Sequence, residues 1–232
     1  SAFKFYFFAP KDVLLLAKNS TLPKLTRNGR LFLGGALLGV LVFVLVFGVS
    51  TLDVTNDAFC RGGYIEKDIQ QHYAGWLFYR SSAPGWPLGV TQAVNAPQGV
   101  SVAYTDSIPL LAVLCRPLAA ALGGTFQYFG WFTLVCFALQ GGFAALLCGL
   151  FAEGLAAPLA GSLVFAASPI LLERAFRHTS LGAQWLVLAA LYCYFVCRRQ
   201  SRFASRGLFV INILAVGIHP YFLPMTYAVT LA

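Results

Sequence analysis

Residues 108–124 read I-P-L-L-A-V-L-C-R-P-L-A-A-A-L-G-G, and whether this stretch crosses a membrane decides the topology of the chain. It is apolar apart from Arg116, and Arg116-Pro117 interrupts it. A proline removes a backbone donor and kinks any helix, and an arginine at mid-depth in a bilayer is expensive. Apolar runs of this length more often lie in the interface or re-enter than span.

The neighbouring segments arbitrate. Arg30–Ser50 carries no charge after Arg30, and roughly 20 apolar residues at about 1.5 Å each cross a hydrocarbon core. Lys24, Arg27 and Arg30 flank its start. A cleavable signal peptide would be shorter and followed by a small-residue cleavage site, so this is a retained helix. Further uncharged runs follow at Phe126–Ala152, Gly154–Leu172, Leu181–Cys197 and Gly207–Ala232. If 108–124 does not cross, Thr51–Thr125 is one long outer loop, and Arg198, Arg199, Arg202 and Arg206 fall beside the basic N-terminus in the cytoplasm. If it crosses, those four arginines occupy a short outer loop, where such a cluster is disfavoured. The non-crossing topology is the prediction.

Composition agrees with a membrane protein. Hydrophobic residues make up 59% of the 232, charged residues only 10%, and mean hydropathy is +0.74. Soluble domains carry about a quarter charged residues, and disordered chains need low hydrophobicity, so both classes are excluded. The formal charge of +8 is an orientation signal rather than a nucleic-acid signature. On this map ten basic and two acidic residues lie on the cytoplasmic side, and six of each lie outside. The expected fold class is an all-α polytopic transmembrane bundle, N-terminus cytoplasmic, whose long outer loop carries juxtamembrane helices. Residues 1–29 form a cytoplasmic segment in which Phe3–Ala17 reads as a surface-lying amphipathic helix. Residues 30–232 form the membrane domain, with 51–125 as its outer loop. The chain ends in an apolar stretch at Ala232, so the natural protein is expected to continue. Gly207–Ile218 gives only about 18 Å of helix before His219-Pro220, so that region is one kinked span or a hairpin whose tip approaches the outer side.

All three histidines and six of the eight acidic residues fall on the outer side of this map. In Lys67–Trp76, read as a helix, Asp68, Gln71, His72, Gly75 and Trp76 share one face. A carboxylate, an amide and an imidazole on one stripe suit a polar substrate or acid–base work; the plainer alternative is a wet juxtamembrane face. In Y-T-D-S-I-P (Tyr104–Pro109), Thr105, Asp106 or Ser107 could cap a helix starting at Pro109, which competes with a catalytic or substrate-binding role for Asp106. Arg174, Arg177 and His178 fall on the outer side, where Arg177 and His178 could hold a phosphate or serve as headgroup anchors. His219, before a proline in an apolar run, is costly to place without a partner, unless it serves only helix breaking. A Cys60–Cys115 bridge is open, though sequence cannot supply its geometry. No zinc, Walker or Rossmann spacing is present. A metal site built from Asp and His is conceivable but not signalled.

The ordered set K-D-I-Q-Q-H-Y-A-G-W, W-P-L-G, Y-T-D-S-I-P-L-L-A, F-Q-Y-F-G-W, S-P-I-L-L-E-R-A-F-R-H-T-S-L and I-H-P-Y-F resembles a family of uncharacterised bacterial multi-pass proteins, itself similar to GT-C glycosyltransferases. The resemblance runs from about Leu31 to the end; a histidine is expected in the family where this chain has Gln184. It implies a GT-C-like bundle in a bacterial inner membrane with an outward-facing active site, transferring a sugar from a polyprenyl-phosphate donor to an acceptor. Under it, Asp68 is the first choice for general base and Asp57 the second. Arg174, Arg177, His178 and His219 would stabilise the leaving phosphate, and Gln71, His72 and Trp76 would line the sugar or acceptor site. No cofactor is demanded, although a divalent cation, Mg or Mn, stays open. Partners would be the lipid-linked sugar, its acceptor and membrane lipids, with no nucleic acid. The competing classes are a carrier or flippase for a lipid-linked or anionic solute, and a structural subunit.

Overall fold

Among the described residues, four helices are long and apolar enough to cross a membrane: Arg27–Phe47, Phe129–Cys148, Ala156–Arg177 and Thr179–Arg199. They coincide with the four charge-free runs predicted to span. The computed structural model describes residues 26–61, 68–199 and 205–232. The expected surface helix Phe3–Ala17, and Arg202, lie outside the described residues.

In chain order the elements are α1 (Arg27–Phe47), α2 (Ala58–Arg61), α3 (Asp68–Ser81), a two-stranded antiparallel hairpin of β1 (Val90–Thr91) and β2 (Val100–Ser101), α4 (Pro109–Leu122), α5 (Phe129–Cys148), α6 (Ala156–Ala166), α7 (Pro169–Arg177), α8 (Trp185–Arg199), α9 (Ser205–Ile218) and α10 (Phe222–Leu231). Helix α5 is central and packs against α1, α6 and α8. The third span is divided in two because Ser168 caps α7, its hydroxyl accepting from Leu171 N, with Pro169 at the first helical position.

Helix α1 presents two faces. Leu33, Leu37, Leu41 and Leu45, one turn apart, are 50–75% exposed, as lipid-facing residues are expected to be. Gly35 and Gly39 lie on the buried side against α5. A Cβ on Gly35 would fall 2.2 Å from the Gly141 carbonyl oxygen, and one on Gly39 would fall 2.0 Å from that of Phe137. Small residues four apart let two backbones touch, which is how helices associate where lipid removes the hydrophobic drive.

The chain between the first two long helices leaves and returns at the same end of α1. Gln127 N donates to Val54 O at 2.8 Å, and Gln127 Nε2 donates to Thr51 O and Asp53 O at 2.9 and 3.0 Å. Helix α4, 14 residues long, is shorter than the four candidate spans and packs on α3 and α9. Contrary to the expected interruption, α4 runs continuously through Pro117. A proline inside a helix costs one hydrogen bond locally. Arg116, for its part, is drawn off α4, its guanidinium donating to Ser82 O and lying 4.5 Å from the Tyr79 ring centre. The helix starts without the expected side-chain cap: Ile108 occupies that position at φ +52°.

Helices α9 and α10 fold back as a hairpin. Asn212 Nδ2 donates to Thr230 Oγ1 at 3.0 Å, and Thr226 Oγ1 donates to Asn212 Oδ1 at 2.8 Å, contacts that one continuous helix cannot make. The tip carries His219. At the far end of the bundle, Arg27 donates to the carbonyls of Gly149, Ala152 and Gly154, and Arg199 donates to that of Leu150. The basic ends of α1 and α8 thus share one end with the α5–α6 turn. All six cysteines are unbridged, so the Cys60–Cys115 pairing does not form.

Candidate functional site

Three elements and one loop meet at the end opposite Arg27 and Arg199. Helix α3 brings Asp68 at its first position and His72 one turn later; α7 ends on His178; the α9–α10 tip supplies His219; the loop before α4 supplies Asp106. Asp106 is held by the turn around it. Ser107 Oγ donates to the His72 carbonyl at 2.7 Å and lies 2.7 Å from Thr105 Oγ1, while Tyr128 Oη donates to Ser107 O. Gly75 makes that approach feasible, since a Cβ there would lie 2.1 Å from Thr105 Oγ1. Thr105 and Ser107 thus fasten this loop to α3 instead of capping α4, and Asp106 faces the histidines.

Asp106 Oδ1 lies 3.0 Å from His219 Nε2. Its Oδ2 lies 3.6 Å from His178 Nε2 and 4.0 Å from His72 Nε2. On the far side of His178, Nδ1 lies 2.9 Å from Asp68 Oδ2. The bonds assign the protons. Tyr221 N donates to His219 Nδ1 at 3.2 Å, so the proton of a neutral His219 is on Nε2 and is given to Asp106. A carboxylate only accepts, so His178 gives its Nδ1 proton to Asp68, leaving Nε2 for a lone pair.

His72 is fully buried, and neither ring nitrogen has a hydrogen-bond partner among the described residues. Burial first, then the neighbouring His178, lower its pKa to about 3. Burial also lowers that of His219, against the pull of Asp106. His72, Asp106 and His178 each offer one ligand atom within 4.8 Å of the others, a grouping that could hold a metal ion.

Beside the cluster lies an open groove of about 650 Å³, lined by Asp68, Pro169, Ile170, Glu173, Arg174 and Arg177. Arg177 Nε is 2.8 Å from Glu173 Oε1, whereas Arg174 has no acidic partner among the described residues. Asp68, 63% exposed, belongs to groove and cluster alike.

The structure thus gathers Asp68, His72, Asp106, His178 and His219, with Arg174 and Arg177 adjoining. The other three candidates sit elsewhere. Asp57 is engaged by Arg61 Nε at 2.6 Å and Tyr73 Oη at 3.0 Å. Gln71 is exposed on α3 and takes no part in the cluster. Trp76 is fully buried, its indole donating to Phe126 O at 2.7 Å, so it is a core residue with no free face for a sugar. Gln184 is half-buried just before α8.

The family described as Domain of unknown function (DUF6311) matches residues 36–232, which is most of the chain and every residue of the cluster. The chain belongs to the DUF6311 family. No curated protein and no solved structure matches it. The sequence names every member of the cluster, with Asp68 as first choice of base under the resemblance and Asp106 as a substrate-binding residue for which a capping role competes. The uncapped start of α4 is what separates the two.

Proposed function

We propose that the protein is an inner-membrane, GT-C-like glycosyltransferase that takes a sugar from a polyprenyl-phosphate donor on the outer face of the membrane. One observation carries the reading: the Asp68–His178 pair joins a carboxylate–imidazole cluster to a groove lined by two arginines and by the apolar, 69% exposed Ile170. An isoprenoid tail lies along such apolar surface, and its phosphate needs cations at the level where the helix ends. Arg174 and Arg177 supply them.

In the transfer step an acceptor hydroxyl oxygen bonds to the anomeric carbon as the bond from that carbon to the phosphate oxygen breaks. The hydroxyl proton goes to Asp68, and the leaving phosphate keeps the bonding pair beside Arg174 and Arg177. Asp68 suits the base because His178 engages Oδ2 alone and the side chain opens to the groove. Glu173, the other carboxylate of the groove, is tied to Arg177, and Asp57 is tied to Arg61 and Tyr73. The carrier alternative gains less support, since α5, at the centre of the bundle, contains no charged residue.

The test is release of polyprenyl phosphate by the full chain in lipid nanodiscs, supplied with polyprenyl-phosphate glucose or mannose and membrane extract as acceptor source. A general base contributes about 10²–10⁴-fold, so Asp68→Asn should lose at least about 100-fold in kcat. Arg174→Ala should mainly weaken donor binding. Full activity in Asp68→Asn would remove the base assignment, and donor binding without release would favour a carrier.

A further inference from the structure

We propose that His72, His178 and Asp106 bind a divalent transition-metal ion of the zinc or manganese class through Nε2, Nε2 and Oδ2. The three residues come from three parts of the fold, and their ligand atoms lie within 4.8 Å of one another. Asp106 Oδ2 is 3.6 Å from His178 Nε2 and 4.0 Å from His72 Nε2. A tetrahedral ion with bonds of about 2.1 Å sets its ligand atoms about 3.4 Å apart, so small side-chain movements would close the site.

The surrounding hydrogen bonds present the correct lone pairs. Metal-bound histidines commonly donate their other ring N–H to a carboxylate, which fixes the tautomer and aims the free nitrogen. His178 does this: its Nδ1 pairs with Asp68 at 2.9 Å, and its Nε2 is buried without a hydrogen-bond partner among the described residues. Asp106 is prepared in the same way. His219 Nε2–H occupies Oδ1, and the Tyr221 N–H on Nδ1 keeps that proton in place, leaving Oδ2 for the ion. His219 is therefore a positioning residue and not a ligand.

An independent observation points to something bound. His72 is 0% exposed, and neither of its nitrogens has a hydrogen-bond partner among the described residues. Burying an imidazole in that condition is costly, and a ligand bond from Nε2 would relieve the cost at that atom. Two imidazoles and one carboxylate favour zinc, manganese or iron, because magnesium and calcium prefer all-oxygen sites. Three protein ligands leave a coordination position open, as in catalytic rather than structural sites.

The test is metal content and binding of the full chain in detergent, read without any transfer assay. After chelation and return of Zn2+ or Mn2+ in separate samples, the chain should regain about one equivalent of at least one ion, with Mg2+ in excess failing to compete. His72→Gln and His178→Gln should each lower uptake to background while elution volume and helical circular dichroism stay unchanged. Asp68→Asn should weaken affinity about 10- to 100-fold, the usual effect of losing a ligand's carboxylate partner. If a histidine variant fails to fold, the Co2+ spectrum of the unaltered chain decides, nitrogen and oxygen ligation supporting the site and thiolate bands overturning it. No uptake of either ion, uptake unchanged in both folded histidine variants, or unchanged affinity in Asp68→Asn would also overturn it. A chain that transfers sugar but binds no ion loses this inference alone. One that binds the ion but transfers nothing loses only the transferase reading.

Discussion

Asp106 lies at φ +53°, in the left-handed region where Asp is tolerated better than most residues, and Ile108 beside it lies at +52°. For a β-branched residue that conformation is a genuine outlier, and such strain persists only where surroundings over-determine it. Here they do, through Ser107 on the His72 carbonyl, Tyr128 on the Ser107 carbonyl and Gly75 beneath Thr105. The close fit yields a prediction. Gly75→Ala would place a methyl 2.1 Å from Thr105 Oγ1, so the loop must retreat and carry Asp106 with it. Overpacking of this kind costs about 1–3 kcal/mol. A lower thermal midpoint in detergent, with metal uptake and transfer both diminished, is the expected result. Wild-type values in all three would show that the loop does not position Asp106.

At the scale of elements, the glycine contact between α1 and α5 holds the frame. The sequence G-G-A-L-L-G at Gly34–Gly39 carries the spacing openly, but hydropathy alone reads it as ordinary apolar helix. Only the facing carbonyls of Phe137 and Gly141 show that the spacing is used. Gly39→Val would drive side-chain carbons into the Phe137 carbonyl and separate the helices, destabilising the chain by at least about 1–3 kcal/mol. Val on the lipid face, as Leu37→Val, should be nearly neutral. Thermal unfolding of the two variants side by side measures the difference, and equal midpoints would contradict the packing. Helix α4 shows what was legible in the sequence and what was not. Charge counting predicts that it does not cross, and its 14 residues fall short of the four candidate spans. Its continuity through Pro117 was not legible. So too with the hairpin of α9 and α10, left open until Asn212 is seen bonded to Thr226 and Thr230.

Taken whole, the molecule has two unlike ends. Arg27 and Arg199 close the carbonyl-rich α5–α6 turn at one, and the Asp–His cluster occupies the other. Such a division predicts labelling from opposite sides of the membrane. With the native cysteines replaced, Gln92→Cys and Glu153→Cys should react with an impermeant maleimide from different faces in intact cells and in inverted vesicles. Labelling of both from one face would refute the arrangement.

The sequence by itself determined the four apolar helices long enough to span and the identity of the polar residues at one end. These follow from local quantities: hydropathy over about 20 residues, and the side on which positive charge is held. Which polar residues act together was decided only by the tertiary structure. Asp68 and His178 are 110 residues apart in the chain and 2.9 Å apart in space. Periodicity along α3 placed Gln71 and Trp76 beside Asp68 and His72, yet packing sends Trp76 into the core and leaves Gln71 exposed. A helix has one local face but several neighbours, and which neighbour meets each residue is set by the whole fold.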